Sequence, residues 1–247
     1  MSKYLSQYPI YNDSLESLSR ELLNHLSHEN KFKYLTCINP HSYAVAKKSP
    51  IFNSALTNSN WLVPDGIGVV AGYNFINKSK ISRITGSDIF FLVNNILENN
   101  CASVFFLGST KEVLDDIEMK FRADYPSIKF SGSYSPPFKD NFTAEDDEQM
   151  IERINSANAD VLWVGMTSPK QDIWIYQNRN FLNVKFAAGI GAVFDFYTGR
   201  IQRPNQMMQR MGLEWLFRFF KEPSRLWKRI FISTPIFLLD IFKEKYG

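Results

Sequence analysis

The stretch Val104-Phe105-Phe106-Leu107-Gly108-Ser109-Thr110 decides the fold of this chain of 247 residues. Four consecutive apolar residues that end at a glycine and two hydroxyl side chains are typical of a buried strand with a helix behind it. Residues 161–164 repeat the pattern, and Ser168-Pro169-Lys170-Gln171 predicts a second helix start with Gln171 in a capping box. Buried strands that alternate with helices indicate an α/β protein with a parallel sheet.

Outward from these two units the same alternation continues in both directions. Strands are predicted at residues 34–38, 61–63, 128–130 and 184–188, each followed by a helical pattern. We therefore predict a Rossmann-like catalytic core, a mostly parallel sheet covered by helices, formed by residues 1–200. Residues 201–247 are predicted to form a C-terminal helical appendage that associates with a membrane.

Charge separates this appendage from the core. Residues 200–247 hold ten Lys and Arg against four Asp and Glu, whereas the first 199 residues hold 18 against 21. Basic residues beside Trp227, Ile230 and Phe231 are typical of a helix that lies on an anionic membrane surface. The alternative is a helical pair packed on the sheet with a solvated basic face.

The sequence shows neither a signal peptide nor a membrane span. Its N-terminus lacks an apolar segment, and residues 230–239 fall far short of the roughly 20 apolar residues that cross a bilayer. Cys37 and Cys101 have no metal-ligand spacing, and neither do the three histidines. We expect a cytoplasmic protein without a metal site.

The candidate site residues follow the predicted strands. In a doubly wound sheet, ligands bind beyond the carboxyl ends of the strands, where the loops meet. These loops carry Asn39, Asp65, Gly108, Gln171, Gly189 and Gly191. Asp65 is the candidate general base, because a positioned carboxylate can take the proton of an attacking hydroxyl. The alternative is that Asp65, within Pro-Asp-Gly, serves only the turn.

The loop after Asp65 also permits a different interpretation. Gly66, Gly68 and Ala71 match a loose dinucleotide fingerprint, and Asp88 follows Gly68 by twenty residues, which leaves an NAD-dependent oxidoreductase open. The short preceding strand weakens this alternative, as does Asp65, which would repel a pyrophosphate at the helix N-terminus. In many glycosyltransferases an Asp-x-Asp pair holds the divalent metal ion that neutralises a leaving diphosphate. This sequence contains no such pair, so in an enzyme of that kind cationic side chains of the appendage would have to take that role.

Eight segments, taken in order, resemble the WecG/TagA/CpsF glycosyltransferases, glycosyltransferase family 26. Each segment is a weak signal alone, but together they run from about Thr36 to Arg229 and are highly specific. The segments are Asn39-Pro40, Pro64 to Val69, Arg83 to Asp88, Phe106 to Gly108, Ser168 to Asp172, Gly189 to Asp195, Gly212 to Arg218 and Glu222 to Arg225.

The resemblance implies an inverting, metal-independent hexosyltransferase of bacterial cell-surface polysaccharide synthesis. Its donor would be a UDP-sugar of the N-acetylmannosamine type or related, and its acceptor a sugar linked to undecaprenyl diphosphate. The expected partners include an anionic membrane surface, at the inner face of the cell membrane, and a second copy of the chain, but no nucleic acid. A non-catalytic module that binds anionic membranes through the basic appendage is the remaining alternative.

The resemblance also assigns roles to residues. Asp65 matches the proposed base, and Arg218 and Arg225 match catalytic arginines of the appendage. The expected substrate-binding positions are Thr36, Asn39, Arg83, Gly108, Gln171, Gly189, Gly191 and Lys228. Three positions depart from the family pattern. Cys37 stands where some members carry Thr, with Thr36 one residue earlier, Ser168 stands where Gly or Ala is usual, and Asp172 replaces Glu.

Overall fold

The structure, a computed structural model, describes residues 5–100, 102–202 and 223–247, with the backbone alone for residues 225 and 226. Its centre is a six-stranded sheet with the strand order β2-β1-β6-β5-β3-β4, in which every pairing is parallel. The predicted parallel α/β sheet is therefore confirmed. The strands are β1 (Lys33–Ile38), β2 (Trp61–Pro64), β3 (Ser103–Gly108), β4 (Lys129–Tyr134), β5 (Val161–Gly165) and β6 (Phe186–Gly189).

Helices cover both faces of the sheet, and a short 3-10 turn (Leu5–Gln7) precedes them. One face carries α1 (Leu15–His28), α5 (Gly86–Glu98), α6 (Lys111–Asp124) and α9 (Val193–Tyr197). The other carries α2 (Pro40–Ala46), α3 (Pro50–Thr57), α4 (Ile67–Asn77), α7 (Ala144–Ser156), α8 (Lys170–Asn178) and α11 (Thr234–Tyr246). A helix α10 (Pro223–Lys228) and a π-helical turn (Arg229–Ser233) lead into α11.

The direction of each crossover decides which face a helix covers, because parallel connections are right-handed. The steps from β1 to β2 and from β5 to β6 run towards the same edge, and they place α2, α3 and α8 on one face. The step from β3 to β4 runs the other way and places α6 opposite. The neighbours β1 and β6 are followed by α2 and α9 on opposite faces, so their loops diverge and open a crevice at the carboxyl edge.

Thr143 caps α7 in a capping box with Asp146. The predicted capping box at Gln171 is wrong: α8 begins at Lys170, its N-cap is Pro169, and no side chain caps it. Proline carries no backbone N–H, so the reciprocal bond of a capping box has no donor there.

The strand predicted at residues 128–130 begins at Lys129 and continues to Tyr134. Ser131, Gly132 and Ser133 obscured its end in the sequence. As the last strand in the order, β4 has only one sheet neighbour, so it tolerates these small and polar residues.

The last helix packs onto the core. Phe237 and Ile241 are 0% and 3% exposed, and they fill the space over Gly72, where a Cβ would lie 2.9 Å from Cζ of Phe237. Residues 203–222 lie outside the described part, so the boundary drawn at residue 200 stays a prediction. Within the described ranges, no helix has both the length and the apolar character needed to cross a bilayer.

Candidate active site

A cavity of about 470 Å³ opens at the carboxyl edge of the sheet. The loops after β1, β2, β5 and β6 line it, together with the first turn of α5 and the π-helical turn. Six residues predicted as site residues meet here: Asn39, Asp65, Arg83, Gln171, Gly189 and Gly191.

Three other predicted positions, Thr36, Gly108 and Lys228, do not line this cavity. Thr36 is fully buried and points to the opposite face of β1 from Cys37, which lines the cavity in its place. Neighbouring side chains of a strand alternate between faces, so a shift of one residue exchanges core and cavity. Gly108 instead allows close packing of β3 on β5: its φ is +116°, and a Cβ would lie 2.7 Å from the carbonyl carbon of Gly165.

The appendage positions are only partly described. Arg218 lies outside the described residues, and so does the side chain of Arg225. Lys228 is exposed at the end of α10 and does not line the cavity, whereas its neighbour Arg229 does. Ile230 and Thr234 join Arg229 in closing this side of the cavity.

Asp65 is held at the end of β2. Its backbone N–H donates to the carbonyl of Ile38 across 2.8 Å, and its half-buried side chain lines the cavity. Gly66 follows with a φ of +111°, a conformation that favours glycine, and turns the chain into α4. The Asp65 carboxylate thus stands beside a helix N-terminus, where the helix dipole favours negative charge.

Asn39 serves as the N-cap of α2. Its Oδ1 accepts hydrogen bonds from the backbone N–H groups of His41 and Ser42, at 3.0 and 2.9 Å. The Ser42 hydroxyl completes a capping box with the backbone of Asn39. Because the carboxamide oxygen is occupied, the Asn39 amide group is the part of this side chain that remains to meet a ligand.

Gln171 joins two walls of the cavity. Its Oε1 accepts a hydrogen bond from the backbone N–H of Gly191 across 3.1 Å. Gly189 leaves room for this reach, since a Cβ there would lie 2.9 Å from Nε2 of Gln171. The amide nitrogen of Gln171 donates to none of the described residues, and it is placed to donate to a ligand.

Three titratable groups of the cavity were not predicted as site residues. Burial and, to a smaller extent, the charge of Arg229 lower the pKa of His41 to about 4, and its Nδ1 lies 2.9 Å from the Ser233 hydroxyl. Asp172 is 1% exposed, and burial raises the pKa of its carboxyl to about 7. Burial also raises the pKa of the Cys37 thiol well above its usual range, and Asp65 and Asp172 raise it further.

Some of the cavity residues that were not predicted could have been found from the sequence. Cys37 could have been found from strand alternation counted back from Asn39, and Asp172 from its place in the first turn of α8. His41 follows from placing Asn39 at a helix start. Arg229 gave no signal beyond its place in a basic run, because only the π-helical turn directs it to the cavity.

The electrostatics of the cavity suit a diphosphate. The N-termini of α5 and α8 contribute to its lining, and so do Arg83 and Arg229. Helix N-termini and guanidinium groups are common partners of phosphate oxygens. The described part of the chain contains no group of three His, Cys, Asp or Glu side chains that could hold a metal ion.

The dinucleotide interpretation finds no support in this geometry. The loop of Gly66 and Gly68 follows β2, which lies at an edge of the sheet, whereas the dinucleotide fingerprint follows a central strand. A Cβ at Gly68 would lie 2.7 Å from Cγ of Pro40, so this glycine allows α4 to pack against α2. Asp88 accepts a hydrogen bond from the backbone N–H of Thr85, the N-cap of α5, at 2.8 Å and so completes a capping box.

Comparisons with known proteins identify the family of this chain. A family model described as "Glycosyl transferase WecG/TagA/CpsF family" matches residues 3–247. A Bacillus subtilis (strain 168) protein named N-acetylglucosaminyldiphosphoundecaprenol N-acetyl-beta-D-mannosaminyltransferase is 30% identical over 96% of this chain and 90% of its own length. A protein of the same name from Bacillus spizizenii is 27% identical over 94% of this chain and 90% of its own length.

Proposed function

The chain belongs to the WecG/TagA/CpsF family of glycosyl transferases, and on that premise we propose that it moves an N-acetylmannosamine-type sugar from UDP to N-acetylglucosaminyl-diphosphoundecaprenol. The names of the two relatives support this acceptor and this sugar. The observation that carries the proposal is that Asp65, Arg83 and Gln171 line the same cavity. It offers a carboxylate for a proton, a cation for phosphate and an amide for a sugar.

The reaction would be one in-line displacement at the anomeric carbon of the donor. The Asp65 carboxylate accepts the proton of the acceptor hydroxyl while that oxygen forms the new bond to the anomeric carbon. The bond from this carbon to the UDP oxygen breaks in the same step, and the electron pair leaves with UDP. A single displacement inverts the configuration of the anomeric carbon.

Departure of UDP calls for stabilisation of the diphosphate. Arg83 and Arg229 line the cavity with the N-termini of α5 and α8, and together they supply positive charge without a metal ion. Arg218 and Arg225 are proposed to add to this charge from the appendage. Asn39 and Gln171 would orient the sugars through their amide groups.

The end of the chain is proposed to bring the cavity to the membrane. Phe231, Leu239, Phe242 and Tyr246 are 64%, 61%, 55% and 75% exposed, although each is apolar or aromatic. Lys243 and Lys245 accompany them on α11, a combination that favours an anionic lipid surface. The lipid-linked acceptor resides in that surface, at the inner face of the cell membrane in this proposal. Self-association of the chain also stays a proposal.

A donor panel tests the function directly. The full-length protein is incubated with UDP-N-acetylmannosamine, UDP-N-acetylglucosamine, UDP-glucose or NAD, and with a short-chain N-acetylglucosaminyl-diphospholipid. We expect a disaccharide lipid and free UDP from the first donor, in the presence of a metal chelator. If no donor releases UDP while the protein still binds vesicles, the result would favour the non-catalytic membrane module. A need for a divalent metal ion would refute the cationic stabilisation.

A further inference from the structure

Asp172 stands at the helix position where two other aspartates of this chain complete a capping box. It is the third residue of α8, as Asp88 is of α5 and Asp146 of α7. The carboxylates of Asp88 and Asp146 accept hydrogen bonds from the backbone N–H groups of their N-cap residues, at 2.8 and 2.9 Å. Asp172 has no such donor, because its N-cap is Pro169.

The Asp172 side chain instead turns into the protein beside Gly189. Its Oδ1 lies 2.9 Å from the place where a Cβ of Gly189 would be, and Asp172 lines the cavity. Its Oδ2 is buried without a hydrogen-bond partner among the described residues. A buried carboxyl oxygen without a partner is costly, so such a group calls for a ligand or an ordered water.

Thr36 Oγ1 on β1 is a second buried oxygen without a hydrogen-bond partner among the described residues. Leu35 of the same strand pairs with Ala188, the residue before Gly189.

We propose that the Asp172 carboxyl binds a hydroxyl group of the donor sugar beside Gly189 and thereby contributes to donor specificity. This inference rests on the proposed function. A carboxylic acid donates one hydrogen bond and accepts another, which matches a sugar hydroxyl. Gln171 and Asp172 would then hold the sugar from consecutive positions of α8.

The protonated form of Asp172 is the one that binds. Burial raises the pKa of this carboxyl to about 7, and a hydrogen bond from Ser168 offsets this only in part. The donor brings the negative charges of its diphosphate into the same cavity, which raises the pKa further in the complex. Binding therefore takes up a proton, and donor affinity falls as the pH rises above about 7.

The charges around Asp172 are consistent with a protonated carboxyl at neutral pH. Cys37 and Tyr34 of β1 are uncharged at neutral pH, since burial raises the pKa of both, and α3 carries no titratable side chain. Asp65 adds negative charge, which favours protonation of Asp172, and His41 is uncharged. Arg83 and Arg229 oppose the trend, but they are also the groups that the diphosphate neutralises.

Calorimetry on the full-length protein tests the inference. UDP-N-acetylmannosamine and UDP are each titrated at pH 7.5, in two buffers of different ionisation enthalpy, into wild type, Asp172→Asn and Asp172→Ala. We expect wild type to take up a fraction of a proton with the UDP-sugar and Asp172→Asn to take up none. Asp172→Ala should bind the UDP-sugar about tenfold more weakly, the loss of one hydrogen bond, but bind UDP within twofold of wild type.

Asp147→Asn is the matched control. Asp147 is a second carboxyl whose pKa burial raises; it accepts a hydrogen bond from Trp174 and does not line the cavity. This variant should behave as wild type. Equal proton uptake in wild type and Asp172→Asn would overturn the inference, as would an equal loss of UDP and UDP-sugar affinity in Asp172→Ala. Failure of wild type to bind either nucleotide would instead overturn the proposed function itself.

Discussion

The backbone N–H of Gly191 donates a hydrogen bond to Oε1 of Gln171 across 3.1 Å, and this bond holds α8 to the loop after β6. Gln171→Ala should therefore loosen one wall of the cavity and remove an amide donor. We expect kcat/KM for transfer to fall about 10- to 100-fold, the value of one to two hydrogen bonds. Steady-state kinetics with a varied donor concentration would measure this.

Gln177→Ala is the control for this prediction. Gln177 lies on the same helix but is exposed to solvent. It should leave kcat/KM within about twofold of wild type, since surface substitutions seldom matter by more. Similar losses in both variants would mean that the effect comes from α8 and not from the bond to Gly191.

Asp65→Asn separates catalysis from binding. The amide keeps the shape of the side chain at the end of β2 but accepts no proton, so the transfer rate should fall about a thousandfold. UDP affinity, measured by calorimetry, should not fall, because the substitution removes a negative charge and takes away none of the cations that face the diphosphate. An active variant would exclude Asp65 as the base and leave it with the role of a turn residue.

The His41 imidazole should make the stability of the folded protein dependent on pH. Burial lowers its pKa to about 4 in the folded protein, while an unfolded histidine titrates near 6.5. The unfolded state then binds the extra proton, so the free energy of unfolding should fall as the pH drops from about 6.5 towards 4. Urea unfolding at several pH values would measure this.

Two histidine variants isolate that contribution. His41→Gln should flatten the decline between pH 6.5 and 4, because its side chain does not titrate. His28→Gln, at the exposed end of α1, should retain the decline. An unchanged curve in His41→Gln would show that other groups cause the acid sensitivity.

The chain end is also expected to bind vesicles. Leu239 and Phe242 are exposed on α11, and burial of each in a bilayer is worth about 1.5–3 kcal/mol. The double change Leu239→Asp and Phe242→Asp should weaken binding to phosphatidylglycerol vesicles at least about tenfold in sedimentation. Met119→Asp, which alters a residue 70% exposed on α6, should have no such effect. Equal binding by wild type, the double variant and Met119→Asp would refute the membrane contact of α11.

The features that depend on local pattern were predictable from the sequence. The apolar runs at residues 104–107 and 161–164 became inner strands, because a strand covered on both faces needs no polar alternation. Asn39, Asp65 and Gly189 could be placed at one edge because the carboxyl ends of parallel strands lie together.

The features that depend on register or on distant contacts were not predictable. The exchange of Thr36 for Cys37 rests on strand parity, which one residue reverses. The docking of α11 rests on contacts such as the hydrogen bond from Tyr43 to Asp240, at 3.0 Å, between residues almost two hundred positions apart. Pro169 at the N-cap hid the role of Asp172, since the sequence resembled an ordinary capping box.

The packing of α11 against α4 can be tested by substituting Gly72. A Cβ there would lie 2.9 Å from Cζ of Phe237 and 3.0 Å from Cδ1 of Ile241, so Gly72→Leu should push α11 away. We expect the free energy of unfolding to fall by about 1–3 kcal/mol, the usual cost of overpacking. Transfer should fall as well, because the π-helical turn that carries Arg229 continues directly into α11. Ala71→Leu places the same side chain at an exposed position of α4 and should change neither quantity. A Gly72→Leu protein with wild-type stability and activity would show that α11 is not needed to hold Arg229 at the cavity.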